Sequence, residues 1–147
     1  MLKGNVIQPQ ILSTLGRAGH GSKILIADGN YPFSTRRGSN AELVFLNLSP
    51  GKLNVTDVLE SLLTVVPVEE AVVMAPNRTG PYAMKTDPPI FAEFIKLLKK
   101  NAPDLDLKKV DRFAFYDLVS TSDTCLIIAT GEQRIYANLL LTIGVVK

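Results

Sequence analysis

Apolar positions along the chain change their period several times, and each change marks an element. Ile11, Leu12, Leu15 and Ala18 recur at helical spacing while Ser13, Thr14 and Arg17 point elsewhere, so Gln8 to Ala18 reads as a helix stopped by Gly19. Lys23 to Ala27 is short, apolar and rich in isoleucine, and it runs into the turn signal Asp28-Gly29-Asn30-Tyr31-Pro32; that is a buried strand followed by a loop. A second strand is expected from Glu42 to Leu48, ending at Ser49-Pro50-Gly51. Behind Asn54 as a cap, Val55, Val58, Leu59, Leu62 and Leu63 fall on one helix face, and Pro67 closes the helix.

The second half continues the alternation. Glu69 to Ala75 carries a β-branched run, and a long polar connection, Asn77 to Pro88, follows it. Asp87-Pro88-Pro89 starts a helix whose apolar stripe is Phe91, Phe94, Ile95 and Leu98, with Lys96, Lys99 and Lys100 late in it, where the helix dipole favours cations. Leu107 to Val110 reads as a short strand and Asp111 as the cap of a helix from Arg112 to Val119. Thr124 to Thr130 and Ala137 to Val146 read as the last two strands. Strands alternating with helices imply an α/β fold, a layered α/β/α domain around a mixed, partly parallel sheet. No repeat or linker-like stretch divides the chain, so one domain over residues 1–147 is expected. Ligands of such sheets bind in loops beyond strand ends, and Asp28, Arg112 and Tyr136 all fall in such loops.

Composition narrows the function classes. A chain of 147 residues with 46% hydrophobic content can bury a sizeable core by itself. Its net charge of +2 carries no footprint for nucleic acid or an anionic membrane. Cys125 is alone, inside an apolar run; it excludes an internal disulfide framework, fits a reducing compartment and reads as a buried thiol. The first residues lack a secretory layout and no apolar stretch approaches the ~20 residues of a membrane span, so a soluble cytoplasmic protein is expected.

The candidate chemistry is sparse. His20 is the sole histidine and the sole side chain whose ordinary pKa lies near neutral, which makes it the natural general acid or base. Its position alone favours a second reading, a histidine satisfied at a helix C-terminus. Asp28 either orients His20, accepts hydrogen bonds from a ligand hydroxyl, or closes an Asx-turn on the following backbone. Arg36 and Arg37 lie in a polar loop, Ser34 to Asn40, that either contacts a ligand or is a solvated face. A metal site is not expected, because zinc wants several His or Cys ligands. Nor is there a Gly-x-Ser-x-Gly elbow, a Walker loop or a Gly-x-Gly-x-x-Gly fingerprint. The inventory suits proton transfer on a neutral ligand without a cofactor.

Several segments together carry a family resemblance: Leu2-Lys3, Gly19-His20-Gly21, Ala27-Asp28, Arg112-Phe113-Ala114-Phe115-Tyr116, and Gly131-Glu132 through Tyr136-Ala137-Asn138 to Gly144-Val145. In order and spacing the chain resembles the RbsD/FucU family of monosaccharide mutarotases, and the Arg-Phe-Ala-Phe-Tyr string is similar to its L-fucose branch. The resemblance implies an isomerase that interconverts α and β anomers of L-fucose or a related monosaccharide by acid-base ring opening, or alternatively a ribose pyranase or a non-catalytic monosaccharide binder. It assigns His20 as the proton donor and Asp28, Arg112, Tyr136, Ala137 and Asn138 as the substrate-binding set. It also implies a homo-oligomer, up to a decameric ring, with sites near subunit contacts. Three stretches depart from the fucose branch: Gly29 to Phe33, Thr79 to Asp87 and Ser120 to Thr124.

Overall fold

A computed structural model describes residues 2–146; Met1 and Lys147, the ends of the expected domain span, lie outside the described residues. The elements follow one another as α1 (Pro9–Arg17), β1 (Lys23–Ala27), β2 (Glu42–Phe45), α2 (Val55–Leu62), β3 (Val68–Met74), α3 (Ile90–Asn101), β4 (Leu107–Val110), α4 (Arg112–Val119), β5 (Thr124–Ala129) and β6 (Leu139–Ile143). The six strands form one sheet in the order β2-β5-β1-β6-β3-β4. β1 and β2 run parallel to β5, β3 runs parallel to β4, and β6 is antiparallel to both of its neighbours, β1 and β3. Five strands therefore share one direction and β6 opposes them. This is the mixed sheet of an α/β fold, as expected.

Strand pleating sorts the apolar residues into two layers. Ile24 and Ile26 of β1 face a core shared with α1, α2 and α3, where Ile11, Val58, Leu59, Leu62, Phe91, Phe94 and Leu98 pack. Leu25 and Ala27 face the other way, against Phe115, Tyr116 and Val119 of α4 together with Tyr31. Three helices thus cover one face and one helix covers the other. The expected caps are in place. Asp57 accepts the Asn54 N–H at 2.7 Å ahead of α2, and the Asp111 carboxylate accepts the N–H groups of Phe113 at 3.0 Å and Ala114 at 3.2 Å ahead of α4.

The boundaries move where the sheet stops offering partners. β2 ends at Phe45, short of Leu48, because after the Leu46 N–H bonds Ala129 the chain folds back on itself, with the Leu48 N–H donating to the Leu46 carbonyl. The last strand begins at Leu139 and ends at Ile143, inside the expected Ala137 to Val146 span, because Tyr136 adopts a left-handed φ of 61° that breaks the strand path before it starts. Ile95 stands 39% exposed, outside the apolar stripe of α3. Cys125 is half-buried, its Sγ 3.4 Å from the Lys23 carbonyl, and burial pushes its thiol pKa up. Among the described residues no helix is long and apolar enough to cross a membrane.

Candidate active site

The sheet's polarity collects chemistry at one end. The carboxyl ends of β1, β3, β4 and β5 and the start of β6 lie together there, bringing Asp28, Met74, Arg112 and Asn138 around one cleft of about 320 Å³ that Tyr31, Tyr82, Tyr116 and Tyr136 also line. This is where open parallel sheets bind ligands. A larger hollow of about 430 Å³ lies across Gly29 and Asn30, but its one ionisable lining residue, Glu132, is already occupied by Arg134, so the reactive groups belong to the smaller cleft.

Asp28 is the centre of the cleft's polar network. Its carboxyl is 2% exposed; Oδ1 accepts the Asn30 N–H at 2.9 Å and Oδ2 accepts Asn138 Nδ2 at 2.9 Å. The Asn138 side chain pairs both ways, because its Oδ1 accepts the Asp28 backbone N–H at 2.9 Å. Asp28 thus closes the Asx-turn and lines the cleft at once. Burial pushes the carboxyl from an ordinary 3.8 to about 6, against the N–H groups of Asn30 and Ala137 and the Asn138 amide, while the nearby Glu132 charge adds to the rise. Burial thereby makes Asp28 a weaker acid than its residue type alone gives.

Arg112, Tyr136, Ala137 and Asn138 sit with it. Arg112 is the first residue of α4 and its Nε donates to Tyr116 Oη at 3.1 Å. Tyr136 reaches over the cleft: its hydroxyl accepts the Asn77 N–H at 3.0 Å and donates to the Tyr82 carbonyl at 3.3 Å, which pins the long connection between β3 and α3 across the opening. That connection is further held by Asp87, which pairs with Arg78 at 3.1 Å and with Lys109. Ala137 contributes its backbone N–H to Asp28, so its side chain carries no role there.

Glu132 lines the neighbouring hollow and acts on Asp28 through its charge. Its carboxylate accepts Arg134 Nε at 2.9 Å, Nη2 at 2.8 Å and the Arg134 backbone N–H at 3.0 Å, and Arg134 extends to Glu93 on α3 at 2.8 Å. Burial works to raise this carboxyl, yet the Arg134 guanidinium and N–H and the Val55 N–H outweigh it and leave it below the usual carboxylate range. An ionised Glu132 is thus fixed beside Asp28. Its own carbonyl accepts the Gly29 N–H at 2.9 Å, which holds the turn after β1.

His20 lies apart from this group. It precedes β1, whereas Asp28 follows it, so within one chain a five-residue strand of roughly 16 Å separates them. The imidazole is exposed and its Nε2 contacts both carboxylate oxygens of Glu69, at the start of β3, at 3.0 Å. It caps no helix: the Ala18 N–H closes α1 on Thr14 and Leu15. Asp28 does not orient His20 of its own chain.

A near-neutral buried carboxyl among amide, phenol and guanidinium groups at the carboxyl ends of parallel strands defines an α/β protein built around a small polar ligand. The family model described as the RbsD / FucU transport protein family matches residues 1–146, and the chain belongs to that family. It is 28% identical over 151 residues to the fucose mutarotase of Danio rerio, a match covering 99% of this chain and 95% of that protein. Its fold is similar to the fucose mutarotase of Streptococcus pneumoniae in complex with L-fucose, with a TM-score of 0.72, 28% identity and coverage of 96% of this chain and 95% of that one. It is equally similar to Bacillus subtilis RbsD complexed with D-ribose, with a TM-score of 0.75, 25% identity and full coverage of both chains.

Proposed function

We propose that this chain is a sugar mutarotase that interconverts the α and β anomers of L-fucose or a related monosaccharide. The observation that carries the reading is the buried Asp28 carboxyl, poised near pH 6 inside a polar cleft of monosaccharide dimensions. The relatives named above, two of them bound to monosaccharides, support the substrate class.

The reaction needs two proton transfers. The anomeric hydroxyl loses its proton and the ring oxygen gains one; the bond between the anomeric carbon and the ring oxygen breaks to give the open-chain aldehyde. Rotation about the adjacent carbon–carbon bond and closure with both transfers reversed gives the other anomer. Asp28 takes and returns the proton of the anomeric hydroxyl, a task favoured by a pKa close to working pH. Arg112, Tyr136 and Asn138 hold the remaining hydroxyls. His20 serves as the acid at the ring oxygen, delivered to the cleft by a second copy of the chain, since its own copy holds it at the other end of β1. This reading carries with it a homo-oligomer, a ring of up to ten copies, working in the cytoplasm.

The structural likeness to a ribose-bound relative favours one alternative, a pyranase exchange between ring sizes, which uses the same ring opening. Saturation-transfer NMR on L-fucose, D-ribose and other free monosaccharides tests both readings. Accelerated exchange between anomers supports the first and accelerated pyranose–furanose exchange the second; ligand shifts without acceleration leave a binding protein.

A further inference from the structure

Two large apolar side chains around the cleft are open to solvent. Tyr82 is 70% exposed and Ile135 is 44% exposed, and both line the cleft. The polar groups lie deeper, since Asp28 and Asn138 are buried. The cleft thus has a buried polar floor and an exposed apolar rim.

Single exposed apolar residues are ordinary on a protein surface. These two differ in sharing one cleft and in standing on backbone that is braced while the side chain is left uncovered. The Tyr82 carbonyl accepts the Tyr136 hydroxyl at 3.3 Å. Around it the Ala83 N–H donates to the Gly80 carbonyl at 3.2 Å, the Met84 N–H to the Asn77 carbonyl at 2.9 Å, and Arg78 Nη1 to the Met84 carbonyl at 2.9 Å. Ile135 is held between Arg134, which Glu132 and Glu93 clamp, and Tyr136, which bonds Asn77 and Tyr82. Ordering such a connection costs conformational entropy, and a ring as exposed as that of Tyr82 offsets little of it by burial within the chain. Among the described residues the Tyr82 hydroxyl forms no hydrogen bond, so the polar tip of the ring fixes nothing in the fold.

A sugar offers such a rim one kind of surface. Its hydroxyls need polar partners, whereas its ring C–H groups and, in a 6-deoxy sugar, its exocyclic methyl group gain from contact with an aromatic ring and an aliphatic side chain. With the anomeric hydroxyl at Asp28, those apolar parts are the sugar's match for the rim. We infer that Tyr82 and Ile135 determine specificity by receiving the C–H face and the methyl group of a 6-deoxy sugar, so that the cleft favours it over the pentose of the same configuration. The inference rests on the cleft being the sugar site. It gives a role to a residue of the Thr79 to Asp87 stretch, where the chain departs from the fucose branch.

L-Fucose and D-arabinose are the matched pair, because D-arabinopyranose is L-fucopyranose without the methyl group. Dissociation constants for both come from calorimetry and ligand-observed NMR, and exchange rates from saturation transfer. Wild-type protein is expected to bind L-fucose about fourfold more tightly, the worth of one buried methyl group. Tyr82→Ala and Ile135→Ala are each expected to bring the ratio close to one, while Tyr82→Phe, which keeps the ring, retains it. Tyr82→Trp places the chain's only tryptophan at the rim, and its fluorescence is expected to change saturably with L-fucose. A wild-type ratio near one, a ratio that both alanine variants leave unchanged, or tryptophan emission indifferent to bound sugar overturns the inference. Alanine variants that change the size of the assembly on gel filtration but not the ratio make the rim a contact between copies, and overturn it as well. With sugar still bound and exchanging, the mutarotase reading survives each of these results. If neither sugar binds, both fall.

Discussion

Replacing Asp28 by Asn separates what this side chain does for the reaction from what it costs the fold. Below pH 3.8 the carboxyl is protonated in folded and unfolded chains alike, so it imposes no electrostatic penalty. Between 3.8 and about 6 the folded chain keeps a proton that the unfolded chain has released, and stability falls as pH rises. Above that window both states are ionised and the penalty levels off at about 3 kcal/mol. The Asp28→Asn variant has no such dependence. It has its own fixed cost, because one amide oxygen cannot replace two carboxylate oxygens that accept from Asn30, Ala137 and Asn138; losing one such partner costs about 1–3 kcal/mol at every pH.

Urea unfolding of both proteins from pH 4 to pH 8 reads the difference directly, since every other titrating group is common to the two. The variant is expected to be the less stable protein at pH 4 and to gain about 2–3 kcal/mol on the wild type by pH 8, while its anomer exchange at pH 7 drops by about a hundredfold or more. A stability difference that stays constant across this range would show that the buried carboxyl does not hold its proton to pH 6, and the acid-base role argued for Asp28 would fall with it.

Other expectations follow from the same geometry. Wild-type exchange rates should decline as pH drops through about 6, where Asp28 becomes protonated and ceases to be a base. Glu132→Gln removes charge-assisted hydrogen bonds from Arg134, which is 41% exposed and keeps Glu93 as a partner, so a loss of about 1–2 kcal/mol is expected from thermal or urea unfolding; removing that charge also lowers the Asp28 pKa, and the acid limb of the rate profile should move to lower pH. His20→Ala should slow exchange without abolishing sugar binding. Co-assembly of His20→Ala with Asp28→Asn should restore part of the activity that each lacks alone, and no recovery would refute a site shared between copies. Tyr136→Phe removes the hydroxyl that holds Asn77 and Tyr82, so KM should rise several-fold with kcat little changed, and amide exchange at Asn77 should quicken; a fall in kcat alone would contradict the latch.

Periodicity located the elements well because the central strands β1, β5 and β6 are largely buried on both faces and the helices on one, so composition and spacing report burial directly. The continuous apolar runs of β1 and β5 and the face of Val55, Val58, Leu59 and Leu62 on α2 are examples. Ends were less legible: Tyr136 breaks the path into β6 through a left-handed backbone that no residue type announces. At the site, Asp28, Arg112 and Tyr136 are legible as polar residues at strand or helix ends, whereas Asn138 enters only through the family resemblance. The near-neutral carboxyl was not, because it arises from tertiary burial and from a charge on Glu132 over a hundred positions away in the chain. His20 was assigned by its ordinary pKa, a property of the residue type that carries no information about which end of β1 the ligand occupies.

That separation has a consequence for how the protein works. The cleft end of the sheet concentrates locally unfavourable features: an acid buried where its charge is penalised, a tyrosine at φ 61° and Leu53 at φ 56°. The remaining core, with Ile24, Ile26, Leu126, Ile128 and Phe94 fully enclosed, supplies the stability that tolerates them. The opposite end holds His20 and Glu69 in the open, paired with each other. Under the proposed mechanism, one copy carries the ligand cleft and half of the two-proton relay. If His20 is the acid, binding is a property of the single chain and turnover a property of the assembly, which makes subunit contact part of the catalytic machinery.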